Sequence, residues 1–219
     1  MNILVVGSRE QHELMQSKVG PSHLVERLNN QGTPSINNFE LIFDFTLLPT
    51  FDQIREYQQF KGKAVFLNAV LFSLQSVAEK GLPTLLGFNG HPTFFKRQIL
   101  EVSSMSDENS RLVKELLQPL NIEYELVDDR VGMVTPRIIG MIINEAFYTL
   151  MEDVASRKDI DLGMKLGTNY PMGPFEWVEK WGISNVFLLL EALYQDTHDE
   201  RYKICPLLKR EYSKNKLNS

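Results

Sequence analysis

The sequence predicts an α/β layer with a mostly parallel sheet followed by an all-α helical domain, on three observations. Short apolar runs alternate with amphipathic stretches from Asn2 to Val127, as in a sheet with covering helices. The apolar period then changes to i, i+3, i+4, i+7 after a break at Asp128 to Arg130, which is the helical spacing. From Thr135 onward, helix start and stop signals recur at every turn. Two domains are expected, 1–129 and 130–219.

Asn2 to Gly7, NILVVG, reads as the first strand of a Rossmann-type βαβ unit. A dinucleotide site asks for G-x-G-x-x-G, because its glycines let the backbone approach the pyrophosphate at a helix N-terminus. Here Gly7 is followed by Ser8-Arg9-Glu10-Gln11-His12, without the second and third glycines, and Glu10 brings a negative charge to that end. Gly7 is the one candidate cofactor contact in this turn, and a single glycine also suits an ordinary strand-to-loop turn. Residues 11–38 are polar and broken by Gly20-Pro21, Gly32 and Pro34. They are expected to hold a helix at Glu13 to Val19 and a second from Ser22 to Asn30. No second strand ending in a ribose-binding acid is expected there, although a full dinucleotide domain carries one about 20 residues after the glycine turn.

Strands are then expected at Phe39 to Phe45, Ala64 to Leu67, Leu82 to Phe88, Gln98 to Ser103 and Glu123 to Val127. Helices are expected at Phe51 to Phe60, Ser73 to Lys80 and Asp107 to Leu117. In the second domain, Thr135 caps a helix with Pro136 at its first position, carrying Ile138, Ile139, Ile142, Ile143, Ala146, Phe147, Leu150 and Met151 on a wide apolar stripe. Ser156 and Asp159 start a helix from Ile160 to Leu166 that Gly167 ends in the left-handed conformation. Pro174 starts a third, Phe175 to Trp181, closed by Gly182, and Ser184 caps a fourth, Val186 to Tyr194. The methionines at 133, 141, 151, 164 and 172, and Phe175, Trp177 and Trp181, read as core.

Apolar content of 43% and charged content of 23% are those of a soluble globular protein. A net charge of −5 gives no reason to expect nucleic acid or an acidic membrane as partner. One cysteine, Cys205, excludes an internal disulfide and suits a reducing compartment. No apolar stretch reaches the ~20 residues of a membrane span and no signal peptide is read at the start, so a cytoplasmic location is expected. His12, His23, His91 and His198 are far apart with no metal-ligand spacing, so no metal site is expected. Neither a G-x-S-x-G elbow nor a P-loop occurs.

The order of residues in the second domain is more specific than its periodicity. Asn144-Glu145-Ala146, Val154-Ala155-Ser156, Asp159-Ile160-Asp161, Met164-Lys165-Leu166-Gly167 and Tyr170-Pro171-Met172-Gly173-Pro174-Phe175-Glu176 occur in that order, continuing through Asp199, Arg201-Tyr202 and Pro206 to Arg210. This stretch resembles the C-terminal domain of the 3-hydroxyacyl-CoA dehydrogenases. The resemblance implies a reduced Rossmann-like domain before it and NAD as cofactor. It also implies a homodimer through the helical domain, an acyl-CoA or small acidic ligand, and a place in fatty acid metabolism. The family reaction oxidises 3-hydroxyacyl-CoA to 3-oxoacyl-CoA with a His–Glu pair handling the hydroxyl proton.

In the resemblance the family's base lies in a G-x-H-F-F-N-P turn after a strand, with its partner glutamate in the following strand. Here those stretches are Leu85-Leu86-Gly87-Phe88-Asn89-Gly90-His91-Pro92 and Ile99-Leu100-Glu101-Val102. Glu101 takes the glutamate position and Asn89 the position of the base; an amide donates and accepts hydrogen bonds but takes no proton. His91, two residues on, is the other candidate base. Glu101 also reads as a solvent-facing strand carboxylate or a partner of Lys96 or Arg97. Pro136 stands where the family has a substrate-facing asparagine, and Asn68 and Ser73 are the candidate remnants of its S-N-T-S-S turn, Asn68 being with Gly7 a candidate cofactor-binding residue. The resemblance also implies that the adenosine-binding βαβ unit is missing from residues 1–38. Two readings follow: a dehydrogenase-like protein with a degenerate cofactor site, or a non-catalytic dimeric scaffold or ligand-binding relative.

Overall fold

The computed structural model describes residues 1–28 and 35–218 and divides the chain into two compact units, Met1–Met133 and Val134–Ser219. The division falls four residues past the boundary expected from sequence. Gly132 and Met133 both take positive φ, 85° and 45°, where the chain leaves the first unit.

The first unit is a seven-stranded sheet in the order β2-β1-β3-β4-β5-β6-β7. The strands are β1 (Asn2–Val6), β2 (Leu24–Arg27), β3 (Leu41–Asp44), β4 (Ala64–Asn68), β5 (Leu85–Phe88), β6 (Leu100–Ser103) and β7 (Tyr124–Val127). All pairs are parallel except β5 with β6. Alternation along β1 sets the two faces. Ile3 and Val5 pack with Met15 of helix α1 (Arg9–Val19) and with Val113, Leu116 and Leu117 of α5 (Asp107–Leu117). Leu4 points the other way, into a cluster with Ile54 of α2 (Phe51–Arg55), Tyr57 and Leu74 of α3 (Leu74–Val77).

The structure corrects the reading of residues 11–30. Helix α1 starts four residues earlier than expected, because Ser8 caps it and Gln11 closes a capping box. The run from Leu24 is a strand, not a helix; it pairs with β1 from Asn2↔Leu24 to Val5↔Arg27. Helix propensity in so short a polar stretch is a weak prior against a ladder partner. The βαβ unit β1-α1-β2 is therefore present. Asn29, Asn30 and the Gly32 and Pro34 breaks lie outside the described residues. Further along, α2 holds only Phe51–Arg55 and continues as a 3-10 turn, Glu56–Gln59, and β5 begins at Leu85 rather than Leu82.

The second unit contains α6 (Thr135–Met151), α7 (Arg157–Thr168), α8 (Pro174–Trp181), α9 (Ile183–Thr197) and α10 (Pro206–Asn218), with α4 (Pro92–Phe95) belonging to the first unit. Thr135 is not the cap of α6; it is the first helical residue, after Val134, which makes no side-chain cap bond. Helix α7 runs past Gly167 and ends at Asn169, which takes the left-handed φ of 55°. An asparagine tolerates that region, so the helix gains a further half-turn. Ser184 lies within α9, which starts after Gly182, rather than capping it. Gly140 of α6 lets α9 approach: a Cβ there would lie 2.9 Å from Leu189 Cδ2. Phe175, Trp177 and Trp181 are buried, but of the five methionines only Met133 is, and Met151 is exposed.

Candidate active site and the end of β1

Antiparallel pairing of β5 with β6 decides which residues of the predicted site meet. The register runs Gly87↔Ser103 and Phe88↔Val102, and Asn89 N–H donates to the Glu101 carbonyl at 3.2 Å. Asn89 therefore stands directly opposite Glu101, with both side chains on one face at the close spacing of cross-strand neighbours. Asn89 is 3% exposed, and its side-chain oxygen Oδ1 is buried without a hydrogen-bond partner among the described residues. Glu101 is half-buried.

His91 is held differently. It is the N-cap of α4, and its Nδ1 accepts the Thr93 N–H at 3.2 Å, so the neutral ring that makes this bond carries its hydrogen on Nε2. Using Nε2 as a base means giving up that tautomer and the cap with it.

Asn68, at the end of β4, is buried and hydrogen-bonded at both its amide nitrogen and its amide oxygen. Its Nδ2 donates to the Phe45 carbonyl at 3.3 Å and its Oδ1 accepts the Gly90 N–H at 3.0 Å. It ties the ends of β3, β4 and β5 together. Ser73 precedes α3 and makes no side-chain cap bond; Asp129 supplies it instead, accepting the Leu74 and Gln75 N–H groups at 2.7 and 3.0 Å.

At the end of β1, Gly7 leads into the closed N-terminus of α1. Ser8 Oγ accepts the Gln11 N–H at 3.2 Å, and Gln11 Oε1 accepts the Ser8 N–H at 2.7 Å. A Cβ on Gly7 would lie 2.5 Å from that Oε1, so the glycine is needed for the capping side chain to fold back. Glu10 sits in the first turn, paired with Lys96 at 3.2 Å. Two groups not read from sequence also belong here. Glu26 of β2 is half-buried and 19 residues beyond Gly7, the spacing of a ribose-binding acid. Arg27 reaches back so that its guanidinium donates to the Gly7 carbonyl at 3.4 Å. Leu24 to Arg27 carries no apolar alternation that would have marked either residue in the sequence. Among the described residues no group of His, Cys, Asp or Glu is arranged to hold a metal ion, and no helix is long and apolar enough to cross a membrane.

In the helical unit the ordered motifs are structural. Buried Asn144 donates to the Lys203 carbonyl and accepts the Cys205 N–H, both at 2.9 Å, fixing the approach to α10. Asp161 Oδ1 accepts the Phe175 N–H at 2.8 Å, and a Cβ on Gly173 would meet that carboxylate at 2.3 Å. Glu176 accepts the Gly173 N–H at 2.9 Å and pairs with Lys165. Arg157 lies over the rings of Phe147 and Phe175 and pairs with Glu211.

Residues 132–219 match the family described as 3-hydroxyacyl-CoA dehydrogenase, C-terminal domain. The resemblance of the helical unit to the 3-hydroxyacyl-CoA dehydrogenases is thereby shown. It is similar to the 3-hydroxyadipyl-CoA dehydrogenase of Escherichia coli, 44% identical over 84 residues, or 38% of this chain and 18% of that protein. It is also similar to the 3-hydroxybutyryl-CoA dehydrogenase of Clostridioides difficile, 32% identical over 130 residues, or 59% of this chain and 46% of that protein. The second match is longer than the helical unit and so reaches into the sheet unit. The chain spans less than half the length of these curated relatives. Among solved structures, the crystal structure of (S)-3-hydroxybutyryl-CoA dehydrogenase from Ralstonia eutropha has the same fold. Its TM-score is 0.80 at 18% identity, covering 98% of this chain and 94% of that one. The fold is thus the family's Rossmann-like sheet followed by helices.

Proposed function

We propose that this chain is a 3-hydroxyacyl-CoA dehydrogenase-like protein with a degenerate cofactor site, acting as a non-catalytic, homodimeric ligand-binding relative. One observation carries the reading: Asn89, not a histidine, faces Glu101 across the β5–β6 pair. Oxidation of a 3-hydroxyacyl-CoA requires a group that takes the hydroxyl proton as hydride leaves. A carboxamide holds a hydroxyl by hydrogen bonds but has no pKa near neutrality with which to accept that proton.

The residues at the end of β1 also fit NAD poorly. A pyrophosphate docks on free N–H groups at a helix N-terminus, and here Ser8 and Gln11 bond each other's N–H groups beside the Glu10 carboxylate. Glu26 meets the ribose requirement by spacing alone. No step of a hydride transfer is therefore assigned to this chain. What remains is a site with a buried amide oxygen and a half-buried carboxylate, suited to hold the hydroxyl or carbonyl of an acyl ligand such as an acyl-CoA. The cytoplasm is the compartment proposed for it, since the single cysteine is a buried thiol.

A second reading keeps the enzyme, with His91 as base and Glu101 as its partner, because His91 is only two residues from Asn89 and half-buried. NADH titration followed by tryptophan fluorescence, together with turnover of acetoacetyl-CoA, separates the two. The proposal expects no saturation at millimolar NADH and no turnover. Turnover that disappears in Glu101→Gln and in His91→Ala would establish the second reading.

A further inference from the structure

A cavity of about 370 Å³ opens at the ends of β1 and β3, on the face of the sheet opposite α1. The strand order reverses between these two strands, since β1 leads to β2 on one side and lies beside β3 on the other. Such a switch point is where open α/β sheets bind ligands. The volume lies at the lower end of the range for small-molecule pockets, roughly 300 to 1,000 Å³. Leu4, Val6, Leu28 and Ile36 form its apolar wall.

Its polar end is one buried carboxylate. Asp44 is 3% exposed and is hydrogen-bonded by the Thr46 N–H at 2.8 Å, by the Tyr57 hydroxyl at 2.9 Å and by the Thr46 side chain. Among the described residues no Lys, Arg or His forms an ion pair with it, and no Lys or Arg lines the cavity. Glu56, exposed, adds a second carboxylate to the lining. Burial without a cation is costly for a carboxylate, and desolvation holds the Asp44 carboxyl above the usual carboxylate range. About four lone-pair directions belong to a carboxylate, so the bonds from Thr46 and Tyr57 still leave capacity for a donor from the cavity.

We propose that this cavity binds a small organic cation, a primary ammonium on a short apolar body, with the ammonium on Asp44 and the body against Leu4, Val6, Leu28 and Ile36. The two carboxylates disfavour anions, so the occupant is neither a pyrophosphate nor an acyl carboxylate. The site is independent of the Asn89–Glu101 pair and of any dehydrogenase activity.

Phenethylamine, phenylacetate and adenosine, titrated separately into the full chain with amide chemical shifts as readout, test this directly. Phenethylamine is expected to saturate, with the largest shifts at Thr46 and Tyr57, while phenylacetate leaves these amides unmoved and adenosine binds at least tenfold more weakly. Asp44→Asn should lower the phenethylamine affinity at least tenfold. Glu56→Lys, a substitution of an exposed residue that spares the core, should do the same and decides the question if the first variant does not fold. Absence of saturation, equal binding of phenylacetate or adenosine, or full affinity in Glu56→Lys would overturn the proposal.

Discussion

Asn89 and Glu101 are directly opposed across the antiparallel β5–β6 pair, one nearly inaccessible and the other half-buried. The register makes a physical prediction that needs no cofactor. In Asn89→His the new imidazole should lie beside the Glu101 carboxylate, which favours the imidazolium, while burial opposes it. Adding Glu101→Gln removes only the carboxylate. The histidine pKa, followed by NMR, should therefore fall by at least about one unit from the single to the double variant. An unchanged pKa would mean that the two side chains do not face each other.

Asn68 predicts a stability effect. Its amide satisfies the Phe45 carbonyl and the Gly90 N–H in a buried place, so Asn68→Leu leaves two buried backbone groups unpaired. Each such group costs about 1–3 kcal/mol. Urea unfolding should show a loss of roughly 2–6 kcal/mol on that basis. Equal stability of Asn68→Leu and the unsubstituted chain would contradict the clamp.

Asp44 predicts a pH dependence. Desolvation raises its folded pKa above the unfolded value, against the opposing bonds from Thr46 and Tyr57. The folded state therefore binds this proton more tightly than the unfolded state, and ionising Asp44 reduces stability as pH rises from the unfolded pKa, about 3.9, through the folded one. Asn cannot ionise. The stability of Asp44→Asn relative to the unsubstituted chain should thus improve from pH 4 to pH 7.5 in urea unfolding. A relative stability that worsens over that interval would show that the carboxylate is stabilised, not penalised, in its ionised form.

What was legible in the sequence divides along the same physical lines. The helical unit announced itself through local chemistry: Ser156 caps α7, Pro174 opens α8 and Gly182 closes it. These depend on residues within one turn of each other. Strand β2 was illegible because Leu24 to Arg27 is too short to establish a period, and only the ladder with β1 makes it a strand. With it went Glu26 and Arg27. Opposition of Asn89 to Glu101 was implied by family order, yet the register that produces it is long-range. The closed α1 N-terminus is spelled out in Ser8-x-x-Gln11, a capping-box pattern. Such a pattern marks a helix start wherever it occurs, and only the folded-back Gln11 side chain shows that the end is shut.

The capping box itself is testable. Ser8→Ala removes the side chain that holds the Gln11 N–H, and loss of such a cap typically costs about 1 kcal/mol. Thermal or urea unfolding should register that loss. Because Gln11 Oε1 still covers the N–H at position 8 and Glu10 remains beside it, affinity for NADH should not rise measurably in this variant. A gain of tenfold or more would show that the cap alone closes the cofactor end.

The helical unit leaves apolar surface that a second copy would cover. Helix α7 buries none of its residues, yet it carries Leu162 and Leu166, 47% and 78% exposed and four residues apart on one face. Gly163 and Gly167 beside them have open space where a Cβ would be. Ile138 and Val154 add 49% and 69% exposed apolar surface elsewhere in the unit. Light scattering at micromolar concentration should give twice the chain mass of 25.2 kDa. Burying a leucine is worth about 1.5–3 kcal/mol, so placing charges at both positions in Leu162→Glu/Leu166→Glu should weaken association more than about 100-fold. A monomer at that concentration, or a dimer unmoved by the double substitution, would remove α7 from the interface and with it the reason for its uncovered face.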